Sequence, residues 1–103
     1  DNGGEIPQTY GVPVEEIERG IKSGVRKVNI DTDCRMAITG QFRRVATENR
    51  KEFDPRKFLI PAMSEMTALC KDRFERFGTA GHAGKIKTIS MDDMAINYLS
   101  GDL

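Results

Sequence analysis

One stretch of the sequence decides the fold: Val25-Arg26-Lys27-Val28-Asn29-Ile30-Asp31-Thr32-Asp33. Its first half is predicted to be a short strand, because Val25, Val28 and Ile30 are β-branched and the last two alternate with polar residues. This alternation puts Asn29 and Asp31 on one face of the strand. The oxygen-bearing side chains that follow are suited to capping a helix, so the stretch is predicted to lead from a strand into a helix.

This predicted strand-to-helix junction is a candidate ligand site. In open α/β sheets and in (β/α) barrels, ligands lie at such junctions because free backbone N–H groups and the helix dipole favour an anion there. Asn29 and Asp31, facing a barrel interior, would need polar partners that a bound sugar phosphate can supply. The alternative is that the polar run only caps the next helix, and the spacing leaves both interpretations open.

Composition limits the class of protein. The chain has 103 residues, of which 38% are hydrophobic and 31% are charged, so it has room for one small folded domain. Its 16 basic and 16 acidic residues cancel, which leaves no overall field to attract nucleic acid or an anionic membrane. No apolar run approaches the roughly 18 residues of a membrane span, and no signal sequence opens the chain. We therefore expect a cytoplasmic protein that binds neither nucleic acid nor membrane.

The cysteines and the histidine do not form a motif. Cys34 and Cys70 lie far apart in sequence and belong to no CxxC or Cys/His cluster, so both are predicted to be reduced and structural. His82 is the only histidine and lies in a glycine-rich run, which favours a loop residue over a metal ligand. The sequence therefore predicts no metal ligand in this chain.

The first half of the chain, residues 1–53, has the order helix, strand, helix that is typical of a repeating α/β fold. Pro13 at a first helical position and Gly24 at the far end bound the first helix, and the second should run from about residue 33 to 47. Gly40 in its interior predicts a close packing contact. A single parallel strand has nothing to pair with, so we expect these residues to be the C-terminal part of a larger α/β domain.

The second half, residues 54–103, is predicted to be a C-terminal helical extension. Asp54 is suited to an N-cap and Pro55 to the first helical position, which places Arg56 and Lys57 at the positive end of a helix dipole. Either a bound anion relieves these two charges or Asp54 and a nearby carboxylate offset them, and the sequence leaves this open.

Three further predictions concern the end of the chain. Pro61 should start or kink the next helical segment, which Gly78 should end. Residues 85–89 should be extended, and Ser90 with Asp93 resembles a capping box for a last helix to about residue 99. An apolar stripe is predicted to pack against the rest of the domain or a partner subunit; it comprises Met63, Met66, Cys70, Phe74 and Phe77.

Taken together, the motifs resemble a known family. Asn29-Ile30-Asp31-Thr32-Asp33, preceded by residues 11–17 and followed by Asp54-Pro55-Arg56-Lys57-Phe58, resembles the C-terminal third of class II, metal-dependent fructose-1,6-bisphosphate aldolases. Residues 74–81 and 85–87 resemble the longer, Calvin-cycle-type branch of that family. The resemblance implies an α/β fold, the (β/α)₈ TIM barrel, to which this chain would contribute the last strand, its helix and the C-terminal helical extension.

The resemblance also implies an activity and its residues. The family cleaves fructose 1,6-bisphosphate reversibly to dihydroxyacetone phosphate and glyceraldehyde 3-phosphate, in glycolysis, gluconeogenesis and the Calvin cycle. Asn29 matches the asparagine that contacts the reacting part of the substrate and helps to hold its enediolate, and is the catalytic candidate. Asp31 and Thr32 match residues that bind the substrate around its phosphate. Arg56 matches an arginine that binds the far phosphate in a neighbouring subunit's site, which implies a homo-oligomer, either a dimer or a tetramer.

The resemblance implies a zinc cofactor, whose ligands in the family have no match in this chain. Its histidine ligands, the catalytic aspartate and the glycine-rich phosphate loop are expected upstream, together with the remainder of the barrel, so the segment alone should be inactive. The resemblance also allows for a monovalent cation. The alternatives are a tagatose- or sedoheptulose-bisphosphate aldolase, a non-catalytic sugar-phosphate-binding or assembly module, and a Schiff-base aldolase using Lys27.

Overall fold

A computed structural model describes residues 2–101, which form four α-helices and one short 3₁₀ helix. The α-helices are α1 (Val14–Lys22), α2 (Thr32–Glu48), α3 (Pro55–Arg76) and α4 (Met91–Ser100), and the 3₁₀ helix covers Ala83–Lys85. The positions predicted for α1, α2 and α4 are confirmed to within about two residues. Within the described range, no helix combines the length and the apolar character that crossing a membrane requires.

Helices α3 and α4 begin where short polar side chains cap them. Asp54 Oδ1 accepts a hydrogen bond from the backbone N–H of Arg56 at 3.0 Å, with Pro55 at the first position of α3. At α4, Ser90 Oγ accepts from the backbone N–H of Asp93 at 3.1 Å and donates to its carboxylate at 2.7 Å. Both predicted caps are therefore confirmed, and each satisfies a backbone donor that the first helical turn leaves free.

Helices α1 and α3 end in the same way, with a glycine in the left-handed region. Gly24 has φ of 112°, and Val25 N donates to Gly20 O at 2.9 Å. Gly78 has φ of 73°, and Thr79 N donates to the carbonyl five residues before it at 2.9 Å. These are Schellman motifs, which need a residue without a Cβ at the turning point. The predicted helix ends at Gly24 and Gly78 are confirmed.

Antiparallel packing of α3 against α2 forms the centre of the structure. Three contacts mark its course: Arg73 binds Asp33, Gln41 Nε2 donates to Glu65 Oε2 at 3.2 Å, and two phenylalanine rings meet edge to face with centroids 6.0 Å apart. The rings belong to Phe42 and Phe58. Contacts between residues with rising numbers on α2 and falling numbers on α3 require that the two helices run in opposite directions.

The predicted strand is absent: residues 25–30 have no regular secondary structure, and the described part of the chain is entirely helical outside its loops. A strand requires a neighbour to accept and donate its backbone hydrogen bonds, and residues 2–101 provide none. The β-branched residues of this stretch favour an extended backbone, but no strand within residues 2–101 pairs with it.

Pro61 does not start a new helix, so the first of the two alternatives predicted for it is wrong. Helix α3 continues through it as one 22-residue element. A proline inside a helix removes one backbone hydrogen bond and costs about 3 kcal/mol. The packing next to it offsets this cost, because Ala62, only 2% exposed, is buried between the helices.

Gly40 is confirmed as a site of close packing. The N-terminal segment crosses α2 there, and a Cβ built on Gly40 would lie 3.3 Å from Asn2 Nδ2. The same segment runs so close to α2 at Gly4 that a Cβ there would overlap the Arg43 guanidinium. At both glycines the missing side chain leaves room for a polar side chain of the other element.

The described chain encloses almost no core. Ala62 is the one hydrophobic residue among residues 2–101 that is fully buried, and the apolar stripe of α3 is covered only in part, since Met63 and Phe74 are exposed. The chain extends over 60 × 33 × 24 Å with a radius of gyration of 19.2 Å, whereas a compact domain of this length has about 13 Å. Its apolar surfaces are therefore available for contact with further protein.

Candidate functional site

The candidate site lies between the end of α1 and the start of α2. Residues 23–31, called the site segment below, connect these helices and border a cavity of about 500 Å³. Asn29, Asp31 and Thr32 all line this cavity. Asn29 and Asp31 do not border the other large cavity, of about 570 Å³, which lies between the site segment and α3. The structure thus brings three of the four candidate residues to one place.

The side chains of Asn29 and Asp31 each accept a hydrogen bond from a basic side chain nearby. Lys27 Nζ donates to Asn29 Oδ1, and Arg35 Nε donates to Asp31 Oδ1 at 2.9 Å. Both Asn29 and Asp31 are exposed. Pairing with Arg35 offsets the negative charge of Asp31 at the place where a phosphorylated ligand would add more.

Asp31 occupies the N-cap position of α2 without capping it. Its carboxylate accepts from the side chain of Arg35 and makes no hydrogen bond to the backbone of the first turn. The expectation that an oxygen-bearing side chain here caps α2 is therefore not met at Asp31. Its backbone, with φ of −133° and ψ of −58°, differs from the extended conformation of the capping residues Asp54 and Ser90. As a result, the first turn of α2 has N–H groups that Asp31 does not occupy, as an anion-binding helix N-terminus requires.

Arg56 lies at the opposite end of the helix pair. Its guanidinium forms a fork with Asp54, with Nη2 at 2.7 Å from Oδ2 and Nε at 3.0 Å from Oδ1. This pairing agrees with the alternative in which Asp54 offsets the charge at the start of α3. The Arg56 side chain is nevertheless 81% exposed, and its Nη1 makes no hydrogen bond to any residue from 2 to 101.

The four candidate residues do not form one site within this chain. Asp33, next to Thr32, is bound to Arg73 near the end of α3, whereas Arg56 is in its first turn. Arg73 lies 17 positions after Arg56, which corresponds to about 26 Å along the helix. Arg56 therefore cannot reach a ligand held by Asn29 of its own chain.

Two arginines that the sequence analysis did not single out connect α3 to the site. Arg73 donates from Nη2 to Asp33 Oδ2 at 2.7 Å, and Arg76 donates from Nε to Glu18 Oε1 at 2.8 Å and from Nη2 to Glu15 Oε1 at 3.0 Å. The hydrogen bond from Arg76 holds the pKa of Glu18 below its ordinary value. A backbone hydrogen bond, and after it the bond from Arg76, lowers the pKa of Glu15. The sequence signal that could have indicated these residues is a pair of arginines one turn apart at a helix C-terminus. Their partners could not be predicted, because these lie 40 to 61 residues away in the sequence.

The described residues do not fit a zinc site by themselves. Catalytic zinc is usually held by three protein ligands, and no group of three His, Cys, Asp or Glu side chains in residues 2–101 is arranged to bind a metal ion. Cys34 and Cys70 are free thiols at the larger cavity. Burial, with nearby Cys70 and Asp33, raises the pKa of the Cys34 thiol above its ordinary value, so this group stays protonated at neutral pH.

Comparison with known proteins identifies the family. The family model described as fructose-bisphosphate aldolase class-II matches residues 8–82, which include the site segment, α2 and α3. The chain belongs to this family, and the resemblance seen in the sequence motifs is confirmed. The family has a TIM-barrel fold, of which the chain matches a C-terminal part.

Individual relatives agree with this assignment along nearly the whole chain. The chain is 74% identical over 102 residues to fructose-bisphosphate aldolase 1 of Cereibacter sphaeroides, covering 99% of this chain and 28% of that protein. It is 73% identical over 101 residues to fructose-bisphosphate aldolase 2 of Rhodobacter capsulatus, covering 98% and 89%. Fructose-bisphosphate aldolase class 2 of Synechocystis is 59% identical over 101 residues, covering 98% and 28%. The chain thus spans little more than a quarter of the length of two of these relatives.

The Asp54–Arg56 fork predicts a pH dependence of stability. Hydrogen bonds from the Arg56 side chain and backbone hold the pKa of Asp54 below its ordinary value of 3.8. The stabilisation is therefore complete above pH 3.8 and is lost as the pH falls through the lower, folded-state value. We expect Asp54→Asn to lower the thermal midpoint of the full-length protein at pH 6, with the difference from wild type shrinking towards pH 2. Asp92→Asn, on α4, is the control, and a difference independent of pH would contradict the prediction.

Proposed function

We propose that the full-length protein to which this chain belongs is a class II fructose-bisphosphate aldolase. It would catalyse the reversible aldol cleavage of fructose 1,6-bisphosphate to dihydroxyacetone phosphate and glyceraldehyde 3-phosphate. Family membership and the names of relatives that match 98–99% of the chain support this activity. The observation that carries it at residue level is the convergence of Asn29, Asp31 and Thr32 on one cavity at the start of α2.

Each of the three residues has a role that suits its chemistry. Asn29 presents an amide that can donate to an oxygen on which negative charge develops, as the enediolate of the triose requires. The Thr32 hydroxyl and the first-turn N–H groups of α2 suit a phosphate. Asp31 contributes oriented acceptors for hydroxyl groups of the substrate around that phosphate, and its pairing with Arg35 at 2.9 Å reduces repulsion.

We assign Arg56 to a site in a neighbouring subunit. It lies about 26 Å along α3 from Arg73, whose partner Asp33 adjoins Thr32, so it cannot complete the site of its own chain. Its exposed guanidinium is oriented by Asp54 and keeps N–H groups for a second acceptor, as binding the far phosphate of a bisphosphate requires. This assignment implies a homo-oligomer, either a dimer or a tetramer.

The rest of the barrel completes the proposed enzyme. The exposed apolar surfaces of the described chain suit packing against that remainder, where the sheet partners missing from residues 25–30 would also lie. Residues 2–101 offer no set of metal ligands. Membership of the family supports assigning both the zinc ligands and the carboxylate that moves the proton to other parts of the protein. We propose a cytoplasmic location for the enzyme.

The activity is tested on the purified full-length protein with fructose 1,6-bisphosphate. We expect cleavage that a chelator abolishes and added zinc restores, and that borohydride with substrate does not inactivate. Chelator-resistant activity with borohydride trapping would instead indicate a Schiff-base aldolase. A higher kcat/KM for tagatose or sedoheptulose bisphosphate would change the substrate assignment, and triose phosphate binding without cleavage would indicate a non-catalytic module.

Replacing Asn29 tests its contact with the developing charge. We expect Asn29→Ala to lower kcat by roughly a hundredfold with a much smaller change in KM, because an interaction made in the transition state is lost. Steady-state kinetics of the full-length enzyme measure both constants. Asn49→Ala, at the opposite end of α2, is the matched control. An unchanged kcat in Asn29→Ala would remove this residue from the chemistry.

Replacing Arg56 tests the shared site. We expect Arg56→Ala to raise KM for fructose 1,6-bisphosphate about tenfold or more, since a hydrogen-bonded charge pair contributes about 1.5–3 kcal/mol. Inhibition by dihydroxyacetone phosphate, which lacks the far phosphate, should change little. Arg50→Ala, in the neighbouring loop, controls for loss of a nearby positive charge. Equal weakening of both ligands, or no change in KM, would contradict the assignment.

A further inference from the structure

The last turns of α3 are tied to the helices on both sides of the site segment. Arg76 binds α1 through Glu15 and Glu18, and Arg73 binds α2 through Asp33. The two arginines are one turn apart on the same helix. Helix α3 therefore fixes the element that precedes the site segment and the element that follows it.

The site segment has few hydrogen bonds of its own to fix its path. Residues 26–30 make no backbone–backbone hydrogen bond within residues 2–101. The nearest backbone bonds on either side are Val25 N to Gly20 O at 2.9 Å and Arg35 N to Asp31 O at 3.0 Å. Within residues 2–101 the segment is therefore held at its two ends. In the proposed barrel, neighbouring strands would hold its first part, and the start of α2 would hold its last part.

Arg73 is the better protected of the two connections. Its side chain is 15% exposed, compared with 34% for Arg76, so water and salt screen its charge less. Both Nε and Nη2 donate to the same Asp33 oxygen, at 3.3 and 2.7 Å, and Nη1 donates to Asp72. These hydrogen bonds, that with Asp33 first, raise the pKa of Arg73 above its ordinary value. Its location near the C-terminus of α3, with Asp33 in the first turn of α2, suits both helix dipoles.

We propose that Arg73 is a positioning residue of the substrate site: by holding Asp33 it fixes the start of α2, and with it Thr32, Asp31 and Asn29. This inference rests on the proposed aldolase function and adds a residue to it. Arg73 acts through Asp33 and is not assigned a contact with substrate. Asp33 adjoins Thr32, whereas the partners of Arg76 lie at least 11 residues before Asn29, so Arg73 has the more direct influence on the site.

The test uses the full-length enzyme and three variants of the pair. We expect Arg73→Met to lower kcat about tenfold with a smaller change in KM, because a small displacement of Asn29 affects the transition state most. Asp33→Asn should lower kcat to a similar extent. Arg73→Lys keeps the charge and one donor, so it should recover most of the activity. Arg19→Met, which removes an arginine paired with Glu16 within α1, should leave kcat unchanged.

Combination with Asn29→Ala separates positioning from general destabilisation. If Arg73 acts by placing Asn29, adding Arg73→Met to Asn29→Ala should lower kcat by less than about threefold more, because the group being placed is already gone. Multiplication of the two single losses in the double variant would overturn the proposal. So would a wild-type kcat in Arg73→Met, or failure of Arg73→Lys to recover activity.

The experiment distinguishes a folding defect, a wrong activity and a wrong role for Arg73. Circular dichroism and the thermal midpoint show whether each variant folds. If Arg73→Met does not fold, Asp33→Asn and Arg73→Lys are each combined with Asn29→Ala, and the loss of kcat in these double variants is compared with the product of the single losses. A wild-type enzyme without aldolase activity would overturn the proposed function. An active wild type with an unaffected Arg73→Met variant would overturn only the role of Arg73.

Discussion

The structure depends on the antiparallel contact between α2 and α3, which ends at the ion pair of Arg73 with Asp33. Along this contact lie the buried Ala62 and the edge-to-face rings of Phe42 and Phe58. At its end, two hydrogen bonds from one guanidinium fix the first turn of α2. Because the last candidate substrate-binding residue of the site segment region, Thr32, directly precedes Asp33, the helix pair that gives the chain its shape also sets the place of the candidate site.

Local sequence signals predicted much of the helical structure. Asp54, Ser90, Gly24 and Gly78 act through neighbours one to five residues away, so their effect on a helix end can be judged from the sequence alone. The family could also be predicted, because the motif around Asn29 and the one around Arg56 occur together at a characteristic separation. Each of these predictions needed only information that lies close together in the chain or is shared by a family.

The predictions that failed concern interactions at a distance or the backbone conformation of a single residue. The strand at residues 25–30 needed a pairing partner that residues 2–101 do not provide. Pro61 stays inside α3 because packing with α2 outweighs its local cost. Arg73 could not be linked to the site from the sequence, since Asp33 is 40 residues away. Asp31 is a residue type that favours capping, but its backbone conformation is not that of a capping residue, and its carboxylate pairs with Arg35.

The uncapped start of α2 has a thermodynamic consequence for the proposed enzyme. The carboxylate of Asp31 leaves the first backbone amides of this helix without a side-chain acceptor. A phosphorylated substrate would supply the missing acceptor and would itself become the cap of α2. Binding and local helix formation would then be linked equilibria, so the start of α2 would fray more readily in the free enzyme and become ordered as the sugar phosphate arrives.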